Sequence, residues 1–353
     1  MPFCAHRAPN ALRGAPKTAL HALHQAVPVN FLTIDTVPLP LATVPVEPTP
    51  FARPQIAAER ALILWHLTSL DAPTVALVWS LAFAWCSNLH LRPWTVALLA
   101  LTTWSIYVVD RLLDVRAAMG KSSRRGLRPR HTFHWLHRNI MLPLALFAAC
   151  IAAAILLAFL PSIIRERGSV MAIAAFTYLS GVHLGPKARS STSWHPHWFP
   201  NKEFCVAILF TAGCALPSWP RLHGPHVASF AAFWIPVGCF AALAWLNCAC
   251  IAKWEAADAL PGPEFAVGEE KIHGANQCGP SHFFPAVLLA IMSLIIAAIA
   301  LAAHPRTAAL LVACAASALF LALLHRLRDR IAPTTLRAAA DLALLTPVVL
   351  LFR

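Results

Sequence analysis

The chain has 353 residues, 58% of them hydrophobic and only 12% charged, whereas a soluble globular protein carries about 25% charged residues. So few charges cannot clothe a water-facing surface. The 28 Lys and Arg against 15 Asp and Glu sit between apolar runs, where a membrane surface rather than nucleic acid is their partner. These figures exclude a soluble enzyme, a coiled coil, a collagen-like chain and a wholly disordered one, and imply an integral membrane protein in a lipid bilayer.

Residues 1–58 form a separate zone rich in Ala, Pro and His, with no acid before Asp35. They lack the continuous apolar stretch of about 7–15 residues that a secretory signal requires. The expectation is a disordered Pro/Ala-rich tail, although the acid-poor start also suits an organellar transit peptide. From residue 59 onward the chain reads as a single transmembrane domain. Its apolar segments fall near 70–88, 93–113, 140–160, 168–186, 203–219, 227–250, 282–302, 306–325 and 335–352. Each is close to the ~20 residues that cross a hydrocarbon core as a helix, so the expected fold is all-α, a polytopic bundle of about nine transmembrane helices. Asp71 and His183 mark soft ends of the first and fourth segments. Counting Lys and Arg by loop gives seventeen on one side against six on the other, which places the amino terminus inside. The ten cysteines include no C-x-x-C pair and mostly lie in apolar runs, where a free thiol packs as a small hydrophobe.

The few acids are not scattered. Asp110 and Asp114 lie at the inner end of the second segment, in TWSIYVVDRLLDVRAA. Four residues apart on a helix, they share a face and repel one another. A divalent cation would turn that repulsion into ligation by hard oxygens, whereas the plainer reading pairs Asp110 with Arg111 and leaves Asp114 solvated. A second polar stripe, LNCACIAKWEAAD, ends the sixth segment with Asn247, Glu255 and Asp258, spaced near two and three helical turns. Both stripes are expected at one depth, facing one cavity. Together they could hold Mg²⁺ with phosphate oxygens, while Arg and His of the loop after Asp114 engage phosphate.

These residues resemble the UbiA superfamily of intramembrane prenyltransferases. The first motif of that family, N-D-x-x-D-R-x-x-D in many members, stands here as I-Y-V-V-D-R-L-L-D. Asp110, Arg111 and Asp114 match, while Ile106 and Tyr107 replace the leading Asn-Asp. In the second motif Asn247 takes the first position, Trp254 the next and Asp258 the last, with Glu255 one place off. Lys187, in GPKAR, is similar to a lysine that follows the family's fourth helix. The resemblance implies a nine-helix bundle with a cavity opening to the inner face and to lipid. It implies metal ligands at Asp110, Asp114, Glu255 and Asp258, of which Asp110, Asp114 and Asp258 would serve catalysis. Substrate contacts would come from Tyr107, Arg111, Lys187 and Asn247. The implied chemistry is Mg²⁺-dependent transfer of an isoprenyl group from an isoprenoid diphosphate to a lipophilic acceptor. The implied setting is a bacterial inner membrane with the site on the cytoplasmic side. The missing carboxylates leave ligands for one metal rather than two, and a non-catalytic relative that binds a lipid or isoprenoid diphosphate is the alternative.

Other constellations carry less. His131, His134 and His137 recur every three residues in HTFHWLH, drifting around a helix so that at most two could face one metal. Arg337 and Asp341, four apart in the last segment, are expected to neutralise each other or a neighbouring helix. No P-loop, dinucleotide fingerprint or nucleophile elbow is present.

Overall fold

A computed structural model describes residues 52–119, 129–184, 202–219, 227–258 and 282–352. Among them there are helices and no strands. The elements are α1 (Ala52–Leu67), α2 (Asp71–Cys86), α3 (Pro93–Met119), α4 (Pro129–Leu136), α5 (Arg138–Phe159), α6 (Ser162–Leu184), α7 (Lys202–Ala215), α8 (Val227–Asp258), α9 (Phe283–Ala300), α10 (Pro305–Leu327) and α11 (Pro333–Ala343), followed by a 3₁₀ segment, Thr346–Phe352. Helix α1 begins inside the stretch assigned to the tail; residues 1–51 lie outside the described residues.

All nine expected segments contain helix, but they are not equivalent. Five helices among the described residues are long and apolar enough to cross a membrane: those in α3, α5, α8, α9 and α10. Counting each of two bent pairs as one span, α1 with α2 and α11 with the 3₁₀ segment, gives seven. The other two segments are α6, which carries Arg165, Glu166 and Arg167 in its first turns, and α7, which has only 14 residues. At 1.5 Å per residue α7 reaches about 21 Å, short of a ~30 Å core. The chain is an integral membrane protein, and its described residues hold five to seven such helices where nine are expected.

The bundle keeps an apolar core but also turns many large apolar side chains outward. Helices α9 and α10 form the most extensive pair. Small residues of α9 (Ala286, Ala290, Ser293, Ala297) are buried, while its Phe284, Leu288, Ile295 and Ile299 are exposed. Without a hydrophobic drive between helices in lipid, small residues permit the close backbone approach that dispersion needs, and the large apolar ones face the acyl chains. At the centre, Trp79 of α2 is fully buried and stacks on Phe240 of α8 at 4.0 Å. Its indole Nε1 donates to the Leu344 carbonyl at 2.8 Å. That carbonyl follows the last turn of α11, where the helix has no amide of its own to offer, so one tryptophan anchors the break between α11 and the 3₁₀ segment.

The turn between α1 and α2 is bent by 88°. Ser69 adopts φ 58°, and the amides of Ser69 and Leu70 donate back to the carbonyls of His66 and Trp65. This is a Schellman cap closed by a residue other than glycine. Left-handed backbone costs an L-residue about 1–2 kcal/mol. The buried Ser69 hydroxyl offsets part of that by donating to His134 Nε2 at 3.2 Å. Ser69→Gly should therefore be more stable than Ser69→Ala by about 1 kcal/mol. Thermal melts of the purified variants in detergent check this, and an alanine variant at least as stable as the glycine one would contradict it.

Candidate functional site

Three polar clusters occupy the end of the bundle at which α3, α8 and α10 finish and α2 and α11 begin. Each is assembled from helices far apart in sequence.

The first sits at the α1–α2 turn. His66 Nδ1 donates to Asp71 Oδ2 at 2.7 Å and lies 3.6 Å from Asp341 Oδ2 of α11. Asp71 Oδ1 accepts the Ala72 amide at 2.9 Å, placing a carboxylate at the positive end of α2. Asn247 Nδ2 of α8 donates to Asp341 Oδ1 at 3.0 Å. His66, Asp71 and Asn247 are all buried.

The second joins α3 to α6. His183 Nε2 is 2.9 Å from Asp110 Oδ1, and His183 Nδ1 is 4.0 Å from Asp114 Oδ1. Helical geometry puts Asp110 and Asp114 one turn apart on a single face, and His183, the penultimate residue of α6, lies across both. Between the first and second clusters is Arg111. Its guanidinium lies 5.7 Å from the centre of the Tyr107 ring and interacts electrostatically with Asp71, Asp110 and Asp114. One obligate cation is thus shared among three carboxylates on two helices.

The third cluster is an ion-pair triad. Glu255 Oε1 of α8 lies 3.0 Å from Arg130 of α4 and 3.2 Å from Arg337 of α11. Next to it Trp254 Nε1 donates to His325 Nδ1 of α10 at 3.1 Å. Arg337 and Asp341 thus each reach neighbouring helices.

Among the residues singled out from the sequence, Asp110 and Asp114 come together, with Arg111 and Tyr107 beside them. They are joined by His183, which the sequence offered only as the soft end of a segment. Asn247 and Glu255 share α8 but go to different partners, Asp341 for one and two arginines for the other. Among the described residues, two groups of His and carboxylates have ligand atoms close enough for a metal: Asp110–Asp114–His183 and His66–Asp71–Asp341. Neither includes Glu255 or a histidine of α4. Asp258 is the last residue of α8 and its side chain lies outside the described residues, as does Lys187 altogether. His66 and Asp71 have a signal in the sequence, a histidine and an aspartate five apart in otherwise uncharged ALILWHLTSLDAP, where Asp71 reads only as a segment boundary.

Helix α4 has a structural part. His134 is buried; its Nδ1 donates to the Arg130 carbonyl at 2.9 Å, and its Nε2 accepts from Ser69. Those two bonds suit a neutral imidazole protonated on Nδ1. Burial pushes its pKa below the ordinary histidine value, and the charges of Arg111 and Arg130 push the same way. No family model, curated protein or solved structure matches the chain.

Two expectations follow. With a depressed pKa in the fold, His134 stays neutral while its unfolded counterpart takes up a proton below about pH 6.5. Its stabilising contribution is complete above that pH and declines as pH falls toward the folded-state pKa. His134→Gln should flatten the pH dependence of thermal stability between neutral and mildly acidic pH; an unchanged slope would refute this. Glu255→Gln removes a carboxylate held between two guanidinium groups, and should cost on the order of 3–5 kcal/mol. A denaturant titration in detergent showing a loss below about 1 kcal/mol would instead mean that the triad is solvated.

Proposed function

We propose that the protein is a membrane-embedded, UbiA-like prenyltransferase that uses Mg²⁺ to engage an isoprenoid diphosphate and transfer its isoprenyl group to a lipophilic acceptor. The reading includes a nine-helix arrangement, with α6 and α7 completing the set, and a site facing the cytoplasm of a bacterial inner membrane. The observation that carries it is the arrangement around α3. Asp110 and Asp114 share one face, His183 closes that face from α6, and Arg111 follows Asp110 directly.

The residues fit the ion. Mg²⁺ prefers one or two carboxylates and completes its octahedron with water and phosphate oxygens; two half-buried aspartates supply that share. Bound there, the ion would offset charge on a departing diphosphate. Arg111 would add a guanidinium donor set matched to phosphate. Tyr107, with its ring beside Arg111, is suited to face a cationic allylic fragment, and apolar helix walls would keep water from it.

A second reading, a non-catalytic protein that binds the same diphosphate or a lipid, is favoured by a specific observation. Glu255 and Asn247, the counterparts of the second motif, are held by Arg130, Arg337 and Asp341, which ties them into the scaffold.

Purified protein incubated with Mg²⁺ and labelled prenyl diphosphates of several chain lengths separates the readings. Diphosphate release together with label in a lipophilic acceptor is expected, and Mg²⁺-dependent binding without release would favour the second reading. Asp110→Asn should weaken Mg²⁺-dependent binding by at least about tenfold (about 1.4 kcal/mol) with thermal stability retained. Ser317→Ala, which breaks a hydrogen bond to Thr346 away from these carboxylates, should not. Absence of Mg²⁺-dependent binding in the unaltered protein would overturn the transferase reading and the diphosphate-binding form of the second.

A further inference from the structure

The cluster at the α1–α2 turn belongs to neither sequence motif apart from Asn247, and the reaction proposed above does not use it. Its composition is unusual for a structural pair. Two carboxylates, Asp71 and Asp341, converge on a single imidazole nitrogen, and the three ligand atoms lie within 4.8 Å of one another. Like charges so close in a low-dielectric interior repel strongly. Arg111, the obligate cation that acts on Asp71, is already shared with Asp110 and Asp114.

A second observation is independent of these contacts. Asn247 is only 5% exposed and its amide reaches the cluster through Nδ2, yet Oδ1 of the same amide has no hydrogen-bond partner. His66 Nε2, also buried, has none either. A purely structural network would satisfy these atoms, because a buried polar atom left unpaired is costly. The orphaned amide oxygen has a simple use. While Asp341 stands alone, the amide must turn Nδ2 toward it. With a cation among the carboxylates, a half-turn about the side chain would bring Oδ1 inward as a further oxygen ligand. The His66 proton would then sit on Nε2, leaving Nδ1 free to coordinate.

We propose that His66 Nδ1, Asp71, Asp341 and the Asn247 amide oxygen form a divalent metal site, distinct from the Asp110–Asp114 site. One imidazole nitrogen with carboxylate and amide oxygens suits a borderline ion, Zn²⁺ or Mn²⁺, better than an all-oxygen ion. The spacing agrees. Ligands about 2.0–2.1 Å from a tetrahedral ion lie roughly 3.3 Å from one another, and His66 Nδ1 stands 2.7 and 3.6 Å from the two carboxylate oxygens. Because its ligands come from α1, α2, α8 and α11, such an ion would fasten the helix that precedes the turn onto the body of the bundle.

The test uses the full chain, purified in detergent, stripped with EDTA and dialysed against Zn²⁺ or Mn²⁺ alone, with bound metal counted by atomic emission. With Asp110→Asn introduced throughout to remove the other candidate site, the protein should hold one ion that Asp341→Asn and His66→Gln weaken at least tenfold. Asn247→Asp, which adds a carboxylate where the amide oxygen would coordinate, should bind at least tenfold more tightly. That gain guards against the first two variants failing merely by misfolding, since disruption of a structural hydrogen bond would not produce it. The proposal is overturned if the Asp110→Asn protein retains no metal, if Asp341→Asn and His66→Gln leave its ion in place, or if Asn247→Asp binds no tighter. Because the readout is metal content without diphosphate or acceptor, failure here leaves the transferase reading standing, and the reverse also holds.

Discussion

A charge carried into hydrocarbon must be answered within the reach of its own side chain, and the end of the bundle where α3, α8 and α10 finish is organised by that requirement. Burying a carboxylate or guanidinium costs several kcal/mol, of order, unless an opposite charge or a set of hydrogen bonds replaces the lost water. Glu255 is answered from two directions by Arg130 and Arg337. Asp341 is answered by His66 and Asn247, and Asp110 by His183 and by Arg111 next to it. Each pairing draws in a helix that apolar packing alone would not orient. Helix α4 is too short to hold itself, and it is fixed by Arg130 and His134. The polar residues thus choose which helices are neighbours, while the small-residue seam between α9 and α10 determines how closely helices approach.

This division explains what could be read beforehand. Apolar run length is a property of the chain alone, so every expected segment does contain helix. Whether a helix crosses is a matter of length and of charge within it. The apolar segments near 168–186 and 203–219 correspond to α6, with three charges in its first turns, and α7, with 14 residues. Spacing of four made Asp110 and Asp114 legible as a pair. Nothing local could announce His183, because its relation to Asp110 spans 73 positions, or Asn247 with Asp341, which spans 94. Arg337 and Asp341 illustrate the same limit. Their spacing allowed a pair within α11 or pairs to neighbours, and only the approach of α1 and α8 reveals the second.

The histidines divide along similar lines. In HTFHWLH the spacing lets at most two histidines face one metal, and the burial of His134 and its two hydrogen bonds make it a fixed strut between α4 and the α1–α2 turn. His66 and His183, isolated in apolar sequence, are the ones brought to carboxylates. An imidazole in an apolar segment is conspicuous for the same reason that an acid is. It has no water to turn to, and its partner has to be built into the fold.

The corner at Ser69 has a mechanical meaning. A flap needs a joint whose torsions can turn at little cost. This joint is closed by two backbone hydrogen bonds, held in a left-handed conformation, pinned from the side by His134, and bridged by His66 and Asp71 across the bend. Turning α1 about it would break all four restraints together. The right angle between α1 and α2 therefore behaves as a bracket, not a hinge, and any doorway into the bundle has to open along some other edge.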